Sequence, residues 1–97
     1  MSPSVERVAS LSPEEFRRHL PLALRGLDHA WVSESEVTVA ARGCRVAIHV
    51  EELPPLALSE VLSLPRCRIR LEFSGDDPAA WAAFLAAYDR AFQRGGG

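Results

Sequence analysis

The stretch Arg66-Cys67-Arg68-Ile69-Arg70-Leu71-Glu72-Phe73-Ser74 alternates more regularly than any other segment of the chain. Cys67, Ile69, Leu71 and Phe73 fall on one side, and Arg66, Arg68, Arg70 and Glu72 on the other. This is the two-residue period of a half-buried strand. A strand with one apolar and one charged face belongs to an antiparallel sheet covered on one side only.

Working upstream, Val37 and Val39 share a face, as do Cys44, Val46, Ile48 and Val50, and Ala41-Arg42-Gly43 between them reads as a hairpin turn. The polar segment from Asp28 to Ser35 reads as a loop. Leu53-Pro54-Pro55 is expected to break the ladder. Residues 56–64 admit two readings: Leu58, Val61 and Leu62 suit a short helix, whereas Leu58, Leu62 and Leu64 suit an edge strand, and Pro65 ends the segment in either case.

Two helices flank these strands. Ser12 can cap the first, Pro13 fits its first position, Glu15 completes a capping box, and Leu11 with Phe16 forms a hydrophobic staple. Phe16, Leu20, Ala23, Leu24 and Leu27 then follow a 3.6-residue period, Glu14 pairs with Arg18 and Glu15 with His19, and Gly26 is the stop. Pro21 lacks an amide and its ring collides with the Arg17 carbonyl, so a kink or two short helices is expected. The second helix starts from Asp77 and Pro78 and carries the apolar stripe Trp81, Phe84, Leu85, Tyr88 and Phe92. Together the pieces predict an α+β fold: a small antiparallel sheet of three to four strands, with N- and C-terminal helices packed on one face.

Length and composition bound the class. A chain of 97 residues, 47% apolar and 25% charged, matches an ordinary globular protein and excludes collagen-like, disordered and disulfide-scaffold classes. Residues 1–97 are read as a single domain with loose ends at about 1–9 and 94–97. A domain of this size buries roughly 65% of its unfolded surface, so a partner subunit would supplement a modest stability. The 11 basic residues, all arginine, face 13 acidic ones, and the pI of 5.9 lies well below the value of about 9 that marks a basic nucleic-acid domain. The first residues lack a secretory pattern, and the longest apolar run, Ala79 to Tyr88, is too short for a membrane span. Cys44 and Cys67 are too few for a disulfide framework. The expected setting is the cytoplasm.

Among residues that could carry function, Arg66, Arg68 and Arg70 stand out, spaced about 7 Å apart along one strand face and therefore within a Debye length of roughly 8 Å. Their repulsion calls for an offset, either carboxylates nearby, with Glu36, Glu51, Glu52 and Glu72 as candidates, or a bound anion or acidic partner. Arg45 and His49 are expected on the same face, which has no aromatic side chain on which RNA bases could stack. Cys44 and Cys67 read as small core hydrophobes, and no ligand set of four suggests structural zinc. Of the histidines, His19, His29 and His49, the most site-like is His29 in Asp28-His29-Ala30-Trp31, where Trp31 would anchor a surface loop. Nucleotide-binding and hydrolase motifs are missing from the sequence.

These observations lead to an expected function: a small non-catalytic protein-interaction or regulatory module, binding a protein partner or a second copy of itself through Arg66, Arg68, Arg70, Arg45 and His49. Nucleic acid, membrane, metal and cofactor are not expected as partners. The alternative from a different class is a small anion- or nucleotide-binding domain using the same arginine-lined face. An enzyme built on Cys67 or His29 ranks third, since no local motif supplies an activated nucleophile.

Overall fold

A computed structural model of the chain describes residues 3–94. In chain order the elements are β1 (Ser4–Ala9), α1 (Pro13–Leu24), β2 (Asp28–Trp31), β3 (Glu36–Ala41), β4 (Cys44–Ala57), β5 (Ser63–Ser74) and α2 (Pro78–Arg94). The strands form one sheet in the order β1-β5-β4-β3-β2, with every neighbouring pair antiparallel. The two helices are packed against the face that carries the apolar residues, giving the expected α+β arrangement of a one-sided sheet.

Alternation decides what faces the helices. On β3 to β5 the inward residues Val37, Val39, Val46, Ile48, Ile69, Leu71 and Phe73 are essentially inaccessible, and the helices close over them with Phe16, Leu20, Leu24, Phe84 and Tyr88. Phe16 stacks on Phe92 with ring centroids 5.2 Å apart, and Phe84 meets Phe73 edge-on at 6.1 Å. Such ring pairs contribute beyond their buried area.

The helix starts follow the sequence closely. Ser12 Oγ accepts from the Glu15 amide and Glu15 Oε1 accepts from the Ser12 amide, both at 3.1 Å, so two otherwise free donors are satisfied reciprocally. Asp77 Oδ1 accepts from the amides of Ala79 and Ala80 at the start of α2. Arg42 and Gly43 form the β3–β4 turn. Gly43 has φ +82°, and a Cβ there would lie 3.1 Å from that of Ala80, so the turn is held close against the first turn of α2.

Four expectations need correction. The sheet has five strands rather than three or four, because residues 4–9 are not a loose end but the edge strand β1, so α1 is not N-terminal within the fold. Arg7 among the inward positions of Ser4–Ala9 disguised the alternation. Of the segment expected as a loop, Asp28–Trp31 is instead strand β2, with Trp31 opposite Val37, and only residues 32–35 connect it to β3. Trp31 sits on this outer strand, still about one-third exposed, and is not a core anchor. Third, α1 continues through Pro21 as one helix. Pro21 is on the exposed side, and buried Leu20 and Leu24 hold the chain before and after it. Residues 1–2 and 95–97, also expected to be loose, lie outside the described residues.

The fourth correction concerns Leu53-Pro54-Pro55. The β4–β5 ladder does not end there: it shifts register between Leu53 and Leu56 and resumes with Leu56 opposite Leu64 and Ala57 opposite Ser63. Residues 56–64 are therefore the end of a hairpin and not a helix, and β5 runs through Pro65. Prolines are tolerated because the outer hydrogen bonds of β4 reach only as far as Val50 and β1 pairs with β5 only from Cys67 onward, so the proline-bearing parts of β4 and β5 have no outer strand. The 14 residues of β4 span about 46 Å at the usual strand rise, close to the 48 Å long dimension of the molecule.

Candidate interaction surface

The sheet face opposite the helices is built by the residues that alternate with the core. Strand register sets its rows: Glu6, Arg70, His49 and Glu36 lie side by side across β1, β5, β4 and β3, and Val8, Arg68 and Glu51 form the next row. The register thus brings Arg66, Arg68, Arg70, Arg45 and His49 onto one face, with Arg45 further along, opposite Ser74 and Ala40.

The offset required by the arginine run is supplied within the chain. Arg68 Nη1 donates to Glu51 Oε1 at 2.8 Å, and Arg70 Nε lies 3.0 Å from Glu72 Oε1. His49 stands between two carboxylates, with Nδ1 3.4 Å from Glu36 and Nε2 3.7 Å from Glu72. Arg66 turns to the bulge instead, donating from Nε to the Pro54 carbonyl at 3.1 Å. Of the four acidic candidates, Glu52 is set apart: it is opposite Cys67 in the ladder and so belongs to the other side of β4. Glu6, which the sequence reading passed over, joins this face through β1. Its signal was the alternation of Ser4, Glu6 and Val8 against Val5, Arg7 and Ala9.

These ion pairs are partly exposed, with the Arg68 and Glu51 side chains at 44% and 63% accessibility, and exposed pairs contribute only a few tenths of a kcal/mol to about 1 kcal/mol each. They neutralise the face more than they hold the fold together.

The face continues without interruption into an apolar end. Along β5 the outward positions pass from Arg70, Arg68 and Arg66 to Leu64, and the ladder places Leu56 directly opposite it. One step further the Leu58 amide donates to the Leu62 carbonyl at 2.9 Å. The shift at Pro54-Pro55 changes the parity of β4, so Leu56 shares the outward face with His49 and Glu51 although its number is even. Leu56, Leu58 and Leu62 remain 43–54% accessible, and Val61 in the turn is 95% accessible.

The other candidate groups are spread out. His29 is on β2, where Nδ1 donates to the Leu27 carbonyl at 3.1 Å, and it borders a shallow recess with Asp28, Thr38 and Arg45. His19 is on α1, distant in sequence from both other histidines. Cys44 and Cys67 are buried free thiols. Burial pushes the Cys67 thiol up to about 11, and burial followed by the charge of Asp77 raises that of Cys44. Burial also raises the Tyr88 hydroxyl. An electropositive, accessible setting is what activates a thiol, and neither cysteine has one. Among the described residues no group of three or more His, Cys, Asp or Glu side chains is placed to hold a metal ion, and no helix is long and apolar enough to cross a membrane.

No protein-family model matches the chain, and no curated protein matches it.

Proposed function

We propose that this protein is a non-catalytic protein-interaction or regulatory module whose contact surface is the uncovered face of its sheet. The observation that carries the reading is the internal pairing of that face: Arg68 with Glu51, Arg70 with Glu72, and His49 between Glu36 and Glu72. A protein partner can cover these pairs without burying an uncompensated charge at Arg68 or Arg70, which would cost several kcal/mol. Arg66, Arg68, Arg70, Arg45 and His49 then set orientation and specificity, and the leucines at the end of the face supply apolar area. Buried thiols with raised pKa values favour a binding role over a nucleophilic one, and they suit a reducing compartment such as the cytoplasm.

Affinity capture from the source cells, in the presence of nuclease, tests the reading. The native chain is expected to retain a defined protein that an Arg68→Glu/Arg70→Glu variant does not. Identical capture by both forms would overturn the assignment of this face. Inorganic phosphate supplies the contrast: a phosphate site built on the same arginines would shift their resonances at low millimolar concentration, whereas a protein-docking face leaves them in place.

A further inference from the structure

We infer that the recess between the end of α1 and α2 is a site for a single phosphate group, held by Arg25 and Arg90. It is lined by Ala23, Arg25, Ala87, Arg90 and Ala91, encloses about 190 Å³ and has no carboxylate in its wall. It belongs to the helical layer and is therefore separate from the uncovered sheet face and the arginines there.

The contrast with the other arginines carries the argument. Arg7, Arg18, Arg68 and Arg70 each meet a carboxylate, and Arg17 and Arg66 donate to the carbonyls of Glu34 and Pro54. Among the described residues, neither Arg25 nor Arg90 has an ion-pair partner of this kind. Two guanidinium groups facing one recess repel each other. The offset that Glu51 and Glu72 supply on the sheet face has no counterpart here, and a bound anion provides it.

Backbone geometry points the same way. Among the described residues Arg25 alone, apart from glycines, has a positive φ, +46° with ψ 54°. This is the left-handed region, which a Cβ disfavours and which glycine or asparagine usually fills at a helix end. The Leu24 carbonyl accepts from the Leu27 amide at 3.0 Å, so the backbone itself closes the helix there and leaves the Arg25 side chain to the recess. A side chain kept in a strained conformation where glycine would sit without strain is a mark of functional positions.

Size and charge name the ligand. Ordinary small-molecule pockets run to roughly 300–1,000 Å³, so a recess of about 190 Å³ takes a headgroup and little more. Ala23, Ala87 and Ala91 are too short to fill it. A guanidinium presents a planar fork of donors that matches phosphate oxygens. Two of them balance the charge of about −1.5 to −2 that a phosphate monoester carries at pH 7, whereas a carboxylate would balance only one.

Titration of the full, isotopically labelled chain with inorganic phosphate and, separately, with glycerol phosphate, at constant ionic strength, tests the inference by NMR. Saturable shifts are expected at the amides of Ala23, Arg25, Ala87, Arg90 and Ala91, with those of Arg68 and Arg70 unmoved. Tighter binding of glycerol phosphate would make a small phosphate monoester the source of the group, and equal or tighter binding of inorganic phosphate would make it the free ion. Arg25→Gly relieves the left-handed strain, so it is expected to keep or raise Tm while weakening phosphate binding about tenfold or more. Arg90→Gln, on the exposed side of α2, should weaken it similarly at native Tm. No saturable shift with either probe would overturn the inference, as would shifts that chloride reproduces or an affinity unchanged in both variants. Partner capture through Arg68 and Arg70 is read separately, so failure here leaves the interaction reading intact.

Discussion

Arg7 on β1 and Asp89 on α2 form a two-pronged pair, Nε donating to Oδ1 at 3.1 Å and Nη2 to Oδ2 at 3.0 Å, across a sequence separation of 82 residues. It fastens the outer strand to the last helix and raises the Arg7 pKa, chiefly through the hydrogen bond to Asp89. The two side chains are 40% and 32% exposed, which limits their coupling to about 0.5–1 kcal/mol. A double-mutant cycle of Arg7→Ala and Asp89→Ala, read by urea denaturation, should recover that coupling. Additive losses would mean that the pair holds nothing.

The Ser12–Glu15 box predicts both a stability loss and a pH signature. Ser12→Ala should cost about 1 kcal/mol, as at other helix caps. Hydrogen bonding to Ser12, backbone first and hydroxyl second, lowers the Glu15 pKa. A carboxylate depressed in the fold stabilises it above the unfolded pKa, and the contribution is lost as pH falls through the lower folded value. The native chain should therefore lose an acid-side increment of stability that Glu15→Gln lacks, measured as the difference between their Tm values from pH 6 to pH 3.

At alkaline pH the sign reverses and the group is Cys67. Its thiol is raised from 9.0 to about 11 by burial, so the neutral form is favoured in the fold. Stability from this group is full below pH 9 and declines as pH rises toward 11. Iodoacetamide should label Cys67 negligibly in the native protein at pH 8 and rapidly once the chain is unfolded. Rapid native labelling would contradict the core placement and reopen a reactive role.

Charge reversal on the uncovered face separates binding from folding. Because Arg68 and Glu51 form an exposed pair, Arg68→Glu should lower stability by no more than about 1 kcal/mol while removing partner capture. Combining it with Glu51→Arg restores the local pair, so Tm should return toward the native value. A large drop in Tm for the single variant would instead make the face a structural element.

Some of this protein is legible in its sequence alone. The alternation through Cys67, Ile69, Leu71 and Phe73, the Ser12 capping box, the Asp77 cap and the Trp81 to Phe92 stripe all appear as read, because each depends on residues within a few positions of one another. Cys44 and Cys67 read as core residues, and are buried, for the same reason: strand parity is a local property. The sequence offers the cross-strand carboxylates only as a set, and strand register singles out Glu51 opposite Arg68 and puts Glu52 on the other side.

What tertiary structure alone decided is pairing over long sequence distances. Ser4–Ala9 becomes a strand because β5 offers it an edge, and Arg7 can occupy an inward position because Asp89 is waiting there. Asp28–Trp31 becomes a strand because β3 pairs with it. Leu56 reaches the outward face because β4 absorbs Pro54-Pro55 as a bulge and keeps pairing with β5. In each case the local preferences are weak, and the free energy comes from partners that only the folded chain brings within reach.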